Sequence, residues 1–268
     1  MIISASRRTD IPAFHSHWFL SCLEKGYVDV ANPRNPKQVK RVELTPETVD
    51  CFVFWTKNAA PILSELDQLA DFNYYFQYTV TAYKSDIEKY VPALDERIET
   101  FCKLSEIIGS RRLIWRYDPI LVTPSYDFRF HVDSFEKIAS SFQGYTQHCV
   151  ISYVDMYRKI KRNMNSIHAE VPSREIASEL SKTLLAVAKN YGINLSACCE
   201  PPEMLTPGID KARCIDAGLI AALTGKCPKT IKDKSQRPLC GCAPSIDIGT
   251  YETCGHGCVY CYAKNNRL

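Results

Sequence analysis

Ser245-Ile246-Asp247-Ile248-Gly249 leads, a few residues later, into Cys254-Gly255-His256-Gly257-Cys258-Val259-Tyr260-Cys261, and the reading of the fold turns on this stretch. Apolar residues alternating with polar ones predict a short strand. The strand feeds a loop whose cysteines are spaced C-x3-C-x2-C. Three thiolates on one tight loop suit three corners of a cubane [4Fe-4S] cluster, whose irons each take one outer ligand. The fourth iron is then open to a small molecule. Glycines inside the loop allow close approach to a cluster. The alternative is a structural zinc site, which usually takes four protein ligands. His256 lies too close between two cysteines to be an easy fourth ligand, so Cys240 or Cys242 would complete that set.

The spacing resembles the signature of radical S-adenosylmethionine (SAM) enzymes. The longer string Cys-x-His-Gly-Cys-Val-Tyr-Cys-Tyr-Ala is similar to that of their spore photoproduct lyase-like branch, as is Thr56-Lys57-Asn58 to a Thr-Lys-x segment there. The resemblance implies that the open iron chelates SAM, which is cleaved by one electron to a 5′-deoxyadenosyl radical that takes hydrogen from a substrate. It also implies a ferredoxin or flavodoxin as electron donor, and a partial (β/α)6 TIM-like barrel whose first strand ends in the cluster loop. Here that strand comes last, so a circularly permuted barrel is expected. A Gly-Gly-Glu-like segment, which binds the SAM amino group in many such proteins, does not occur. Nearly the whole chain further resembles a family of unknown function, through Ile3-Ser4-Ala5-Ser6-Arg7-Arg8-Thr9-Asp10-Ile11-Pro12, Phe54-Trp55-Thr56-Lys57-Asn58, Ile114-Trp115-Arg116-Tyr117-Asp118-Pro119-Ile120 and the cysteine string.

Upstream, short apolar runs at 2–6, 51–55, 74–80, 113–116, 149–153 and 193–197 read as strands. Segments with helical spacing separate most of them: one opening at Pro61, one stopping at Gly109, one before Gly144 and one from Ser173 to Gly192. Alternating strands and helices predict an α/β fold with a parallel sheet. A doubly wound sheet would show nearly the same periodicity, and the cysteine motif favours the barrel. The barrel core is expected over 1–197, and 198–268 reads as a cysteine-rich C-terminal cap carrying the cluster loop and the last strand.

The chain of 268 residues carries a net charge of +3, too small a balance to argue for nucleic acid by itself. No segment reads as a signal or membrane span, and the thirteen cysteines are odd in number and scattered, which suggests a reduced cytoplasm. Nine of the cysteines fall between Cys198 and Cys261, a skew that points to metal. Cys199, Cys214, Cys240 and Cys242 are candidate ligands of a second iron–sulfur cluster or a zinc, with Cys198 and Cys227 as alternatives. Cys22, Cys51, Cys102 and Cys149 sit in apolar patterns and read as core.

In parallel sheets ligands gather at the carboxyl ends of strands. Those ends supply Arg7, Arg8 and Asp10, then Lys57, Gln77, Arg116 with Asp118, and Ser152. An arginine fork suits a carboxylate, of SAM or of a substrate, with Arg116 preferred. Asp118 would meet a ribose or an arginine, and Lys57 would donate a proton or bind an anion. A structural Arg116–Asp118 pair is the alternative. Tyr260 would lie against adenine, and Gly257 would admit the cofactor. The basic run Arg158-Lys159-Ile160-Lys161-Arg162 reads as a solvated helix face, with phosphate or nucleic acid as the alternative. Two functions follow: a radical SAM-type enzyme, or a non-catalytic iron–sulfur or zinc protein acting as an electron carrier or nucleic-acid-binding module.

Overall fold

The computed structural model describes residues 1–226 and 232–264, and Cys227 lies outside the described residues. The chain opens with β1 (Ile2–Ala5), α1 (Ile11–Phe14) and α2 (Ser16–Lys25). An antiparallel hairpin follows, β2 (Tyr27–Asn32) and β3 (Asn35–Glu43). Then come β4 (Cys51–Thr56), a 3-10 helix over Ala60–Leu69, β5 (Tyr74–Thr79) and α3 (Leu94–Ile108). β6 (Leu113–Ile120), α4 (Phe128–Phe142), β7 (His148–Tyr153), α5 (Lys161–Ser166), α6 (Arg174–Asn190) and β8 (Asn194–Ala197) continue the alternation. The last elements are β9 (Asp210–Lys211), α7 (Ala217–Thr224) and β10 (Ile246–Asp247).

All six strands expected upstream form, and they join one eight-stranded sheet in the order β10-β1-β4-β5-β6-β7-β8-β9. Every pairing in it is parallel. The α/β fold with a parallel sheet is as expected, and among the described residues the sheet does not close into a barrel. The edge strands β9 and β10 have two residues each and pair only with β8 and β1, which leaves the sheet open. β10 nonetheless occupies the place before β1, with Ile3 opposite Ile246 and Ser4 opposite Asp247.

Period-two alternation divides the strands between two faces. Ile3, Phe52, Phe54, Phe76, Trp115 and Ile151 turn to one face and bury completely against Phe19 of α2, Ile62 of the 3-10 helix, Phe101 of α3, Phe135 of α4 and Leu184 of α6. Helix starts are set by side chains: Asp127 and Ser173 accept from Phe130 N and Ile176 N at the first turns of α4 and α6. The opposite face is different. Ile2, Cys51, Val53, Tyr75, Ile114 and Val150 pack there against Ile220 of α7 and residues 212–215 and 240–243. Toward the carboxyl ends of the strands the same face turns polar, with Gln77, Arg116 and Ser152 buried. Cys22 and Cys149 are buried among the helix-side apolar residues, and Cys51 on the other face.

Candidate functional site

The cysteine loop is placed by Asp247. Its carboxylate accepts from Ser4 Oγ at 3.0 Å, Ser6 Oγ at 2.6 Å, Arg7 N at 2.8 Å and Gly249 N at 3.1 Å. One buried side chain thus ties β10 to the turn after β1. Arg8 adds bonds from Nη1 to the carbonyls of Asp247 and Gly249. Gly249 is required by this closeness, because a Cβ there would stand 2.1 Å from Ser6 Oγ.

The loop itself is strapped to residues 87–90. Val259 N donates to Ile87 O and Tyr90 N donates to His256 O, both at 2.9 Å. Gly257 makes the turn between them at φ +68, a left-handed backbone that side chains disfavour. Glu88, 2 % exposed, sits at the centre of this strap. It accepts from Lys57 Nζ and Thr81 Oγ1 at 2.8 Å, from Arg97 Nη1 at 3.4 Å, and from the Tyr260 hydroxyl. Burial pushes the Glu88 carboxyl up, but Lys57 and Arg97 outweigh it and hold it below the ordinary range. Asp10 makes the second tie. It accepts from Ala13 N at 3.0 Å and Lys57 N at 2.7 Å, and it lies 2.8 Å from His256 Nε2, which therefore carries the proton.

Along the inner face, Arg116 bridges from Asp118 to Cys214. Nε donates to Asp118 Oδ2 at 3.0 Å, while Nη1 donates to Gln77 Oε1 at 3.2 Å and to Cys214 Sγ at 2.9 Å. Ser152 donates to the other oxygen of Asp118. Burial raises the Asp118 carboxyl, yet the Arg116 guanidinium and Ser152 bring it below the usual range. The arginine fork is thus engaged by protein groups, as in the structural pair weighed above. Burial lifts the nearby Glu200 carboxyl, which accepts from Tyr153 N at 3.0 Å, to about 7.

These groups meet at one cavity of about 610 Å³. It brings together Arg7, Arg8, Asp10, Lys57, Arg116, Asp118, Ser152 and Tyr260 with all the cysteines singled out as ligands: Cys199, Cys214, Cys240, Cys242, Cys254, Cys258 and Cys261. Gln77 stands behind Arg116, and Gly257 shapes the loop; neither lines the cavity. Tyr260 is buried with its hydroxyl on Glu88 and Lys57 Nζ 5.5 Å from its ring. The basic run lies outside: Arg158, Lys159, Lys161 and Arg162 are exposed, and Lys159 pairs with Glu252.

Cys254, Cys258 and Cys261 line this cavity together with Arg7, Arg8 and Lys57. Cys258 lies within electrostatic reach of Cys254 and Cys261. Burial raises the Cys254 thiol to about 11 and Cys258 further, so the positive charge of bound metal would be needed to draw off their protons. Three buried polar atoms of cavity-lining residues, Thr9 Oγ1, Trp55 Nε1 and His256 Nδ1, have no hydrogen-bond partner among the described residues. Buried polar groups without a partner are uncommon. Among the described residues no group of three or more His, Cys, Asp and Glu side chains is arranged to hold a metal ion. No helix among them is long and apolar enough to cross a membrane.

Asp247 and Glu88 were not singled out by sequence reasoning, and His256 entered only as an unsuitable ligand. Period two was the available signal for the inner face: Gln77 and Thr79 on β5, and Arg116 and Asp118 on β6, alternate with buried aromatics. Glu88 has no local signal, since its partners lie 7 to 172 residues away.

The fold and site define an α/β protein with a parallel sheet, most helices on one face and α7 on the other, and a thiol- and arginine-lined cavity at the carboxyl ends of the strands. The chain belongs to the DUF1848 family, a domain of unknown function, whose family model matches residues 2–263. No curated protein matches it.

Proposed function

We propose that this protein is a radical SAM-type enzyme acting on a substrate held in the 610 Å³ cavity. The observation that carries the reading is the position of Cys254, Cys258 and Cys261 in the wall of that cavity, on a loop fed by a strand beside β1. The strand order, with the last strand in first place and most helices on one face, supports an open, circularly permuted relative of the (β/α) barrel. The three thiols would hold a [4Fe-4S] cluster, and the cavity would admit SAM. When bound, this pair supplies a carbon-centred radical that removes hydrogen from the substrate.

The chain's own residues bind, orient and exclude water. Glu88 and Asp10 fix the loop from two sides, through Tyr260 and His256 respectively. Tyr260 lines the cavity, with the Tyr83 ring 6.3 Å from its own. Thr9 and His256 line the cavity, each with a buried polar atom that has no partner among the described residues. Arg7 borders the cavity as the cation for a carboxylate, because Arg116 is held by Asp118 and Gln77 and Arg8 by the carbonyls of Asp247 and Gly249. The electron comes from a reduced ferredoxin or flavodoxin, in the reducing cytoplasm that free thiols favour.

Anaerobic protein, reconstituted with iron and sulfide and reduced with dithionite, should convert SAM to 5′-deoxyadenosine and methionine. Replacing Cys254, Cys258 and Cys261 by alanine should lower that rate by more than about a thousandfold, or ~4 kcal/mol in barrier. A wild-type chain that takes up zinc alone and leaves SAM intact would sink the proposal in favour of a non-catalytic metal protein.

A further inference from the structure

Thiols of Cys198, Cys199, Cys214, Cys240 and Cys242 form a second group on the inner face, with the cysteine loop bordering the same cavity. Cys214 Sγ lies 3.4 Å from Cys198 Sγ. Cys198 contacts Cys199, Cys199 contacts Cys240, Cys240 contacts Cys242, and Cys242 returns to Cys214, so the sulfurs close a ring. All five are free thiols. They come from three separate segments, and the backbone is shaped to turn them inward. Neighbouring side chains on an extended chain face opposite ways. Cys199 instead adopts φ +63, a left-handed conformation rare for a side-chain-bearing residue, and its thiol meets that of Cys198. Cys240 and Cys242, two apart, share a side across Gly241.

The surroundings are those of anionic sulfur. Arg116 Nη1 donates to Cys214 Sγ at 2.9 Å, Ile215 N to Cys242 Sγ at 3.4 Å, and Cys242 N to Cys240 Sγ at 3.4 Å. Arg237 lies within electrostatic reach of Cys198 and Cys199, and Arg7 of Cys240. Such N–H···S bonds, cations and burial are the levers by which a protein sets the potential of an iron–sulfur cluster. A zinc staple would be expected to close on itself inside the protein, but all five thiols border the cavity.

We infer that these cysteines hold a second iron–sulfur cluster, four thiolates binding four irons and the fifth standing by, with Arg116 linking it to Asp118. The sulfurs touch one another in the chain alone, so the cluster enters by parting them. This site stands apart from the radical SAM reading, because neither SAM nor cleavage is needed to detect it.

The test is iron and acid-labile sulfide in the full chain after anaerobic reconstitution, read with electron paramagnetic resonance. Wild type should hold about eight irons, and the triple variant Cys254→Ala/Cys258→Ala/Cys261→Ala about four. Arg116→Gln in that triple background should keep about four irons but shift the signal and raise or lower the reduction potential. Cys214→Ser/Cys240→Ser/Cys242→Ser should show the complementary loss. A folded Cys254→Ala/Cys258→Ala/Cys261→Ala variant, checked by circular dichroism, that binds no iron or takes a single zinc instead would overturn the second site. Failure of SAM cleavage with the iron count intact would overturn only the enzymatic proposal.

Discussion

The two faces of the sheet are built by alternate residues of the same strands, yet they solve opposite problems. On the helix side Phe52, Phe54, Phe76 and Trp115 are fully buried among Phe101, Phe135 and Phe142, with rings such as Trp115 and Phe135 stacked at 4.6 Å. Each such side chain contributes about 1.5–3 kcal/mol by leaving water. The cavity side instead buries Arg116, Glu88, Gln77 and a ring of thiols, groups that cost free energy unless every one finds a partner. The comparison teaches that stability resides mainly on one face, so the other is free to carry chemistry.

Breaking the helix-side face should therefore cost most in folding and least in metal binding. Trp115→Ala removes the indole whose Nε1 donates to Val80 O at 2.9 Å and should cost about 3–5 kcal/mol in urea unfolding. Iron content of the folded fraction should stay at the wild-type level. A loss of iron matching the loss of stability would mean that the two faces are not separable.

The same face carries an acid-sensitive group. His131, fully buried, accepts from the Tyr117 hydroxyl at Nδ1 and donates from Nε2 to Leu121 O, so its ring is neutral. Burial lowers it to about 4 from an ordinary value near 6.5. Between those values the unfolded chain binds a proton that the folded one refuses, so stability rises with pH there. The contribution is complete above about pH 6.5 and declines toward pH 4, by about 3 kcal/mol. His131→Asn should flatten that slope in denaturation curves across the window; an unchanged slope would assign it to other groups.

Glu88→Gln sharpens the comparison from the cavity side. It keeps the shape but leaves Lys57 and Arg97 facing each other without the carboxylate, at about 2 kcal/mol in stability. Its greater effect should fall on the cysteine loop, read as faster loss of iron to a chelator. Chelation at the wild-type rate would show that Glu88 does not hold the loop.

Much of this was legible in the sequence. The six strands announced themselves as apolar runs, and α3, α4 and α6 through their spacing and terminal residues. The β2–β3 hairpin was missed because its outer strand is almost wholly exposed, with Val39 at 59 %, so neither strand shows a clean apolar run. The cavity's arginines and serine were readable from strand ends. The partners that hold them in place were not, since the ties of Asp247 to Ser4 and of Glu88 to Tyr260 span 243 and 172 residues. Periodicity could not choose between a partial barrel and a doubly wound sheet, because both alternate strands and helices alike and the edges here are two strands of only two residues.

The seating of β10 against β1 also orders events in time. Residues 246–261 leave the ribosome after every strand they rest on, so the nascent sheet has its aromatic side in place while its thiol side still gapes. Docking the final segment against the beginning of the chain is then a late, long-range step, the kind that topology makes slow. During that interval the inner face stays open, and the ties of Asp247 to Ser4, Ser6 and Arg7 close it afterwards.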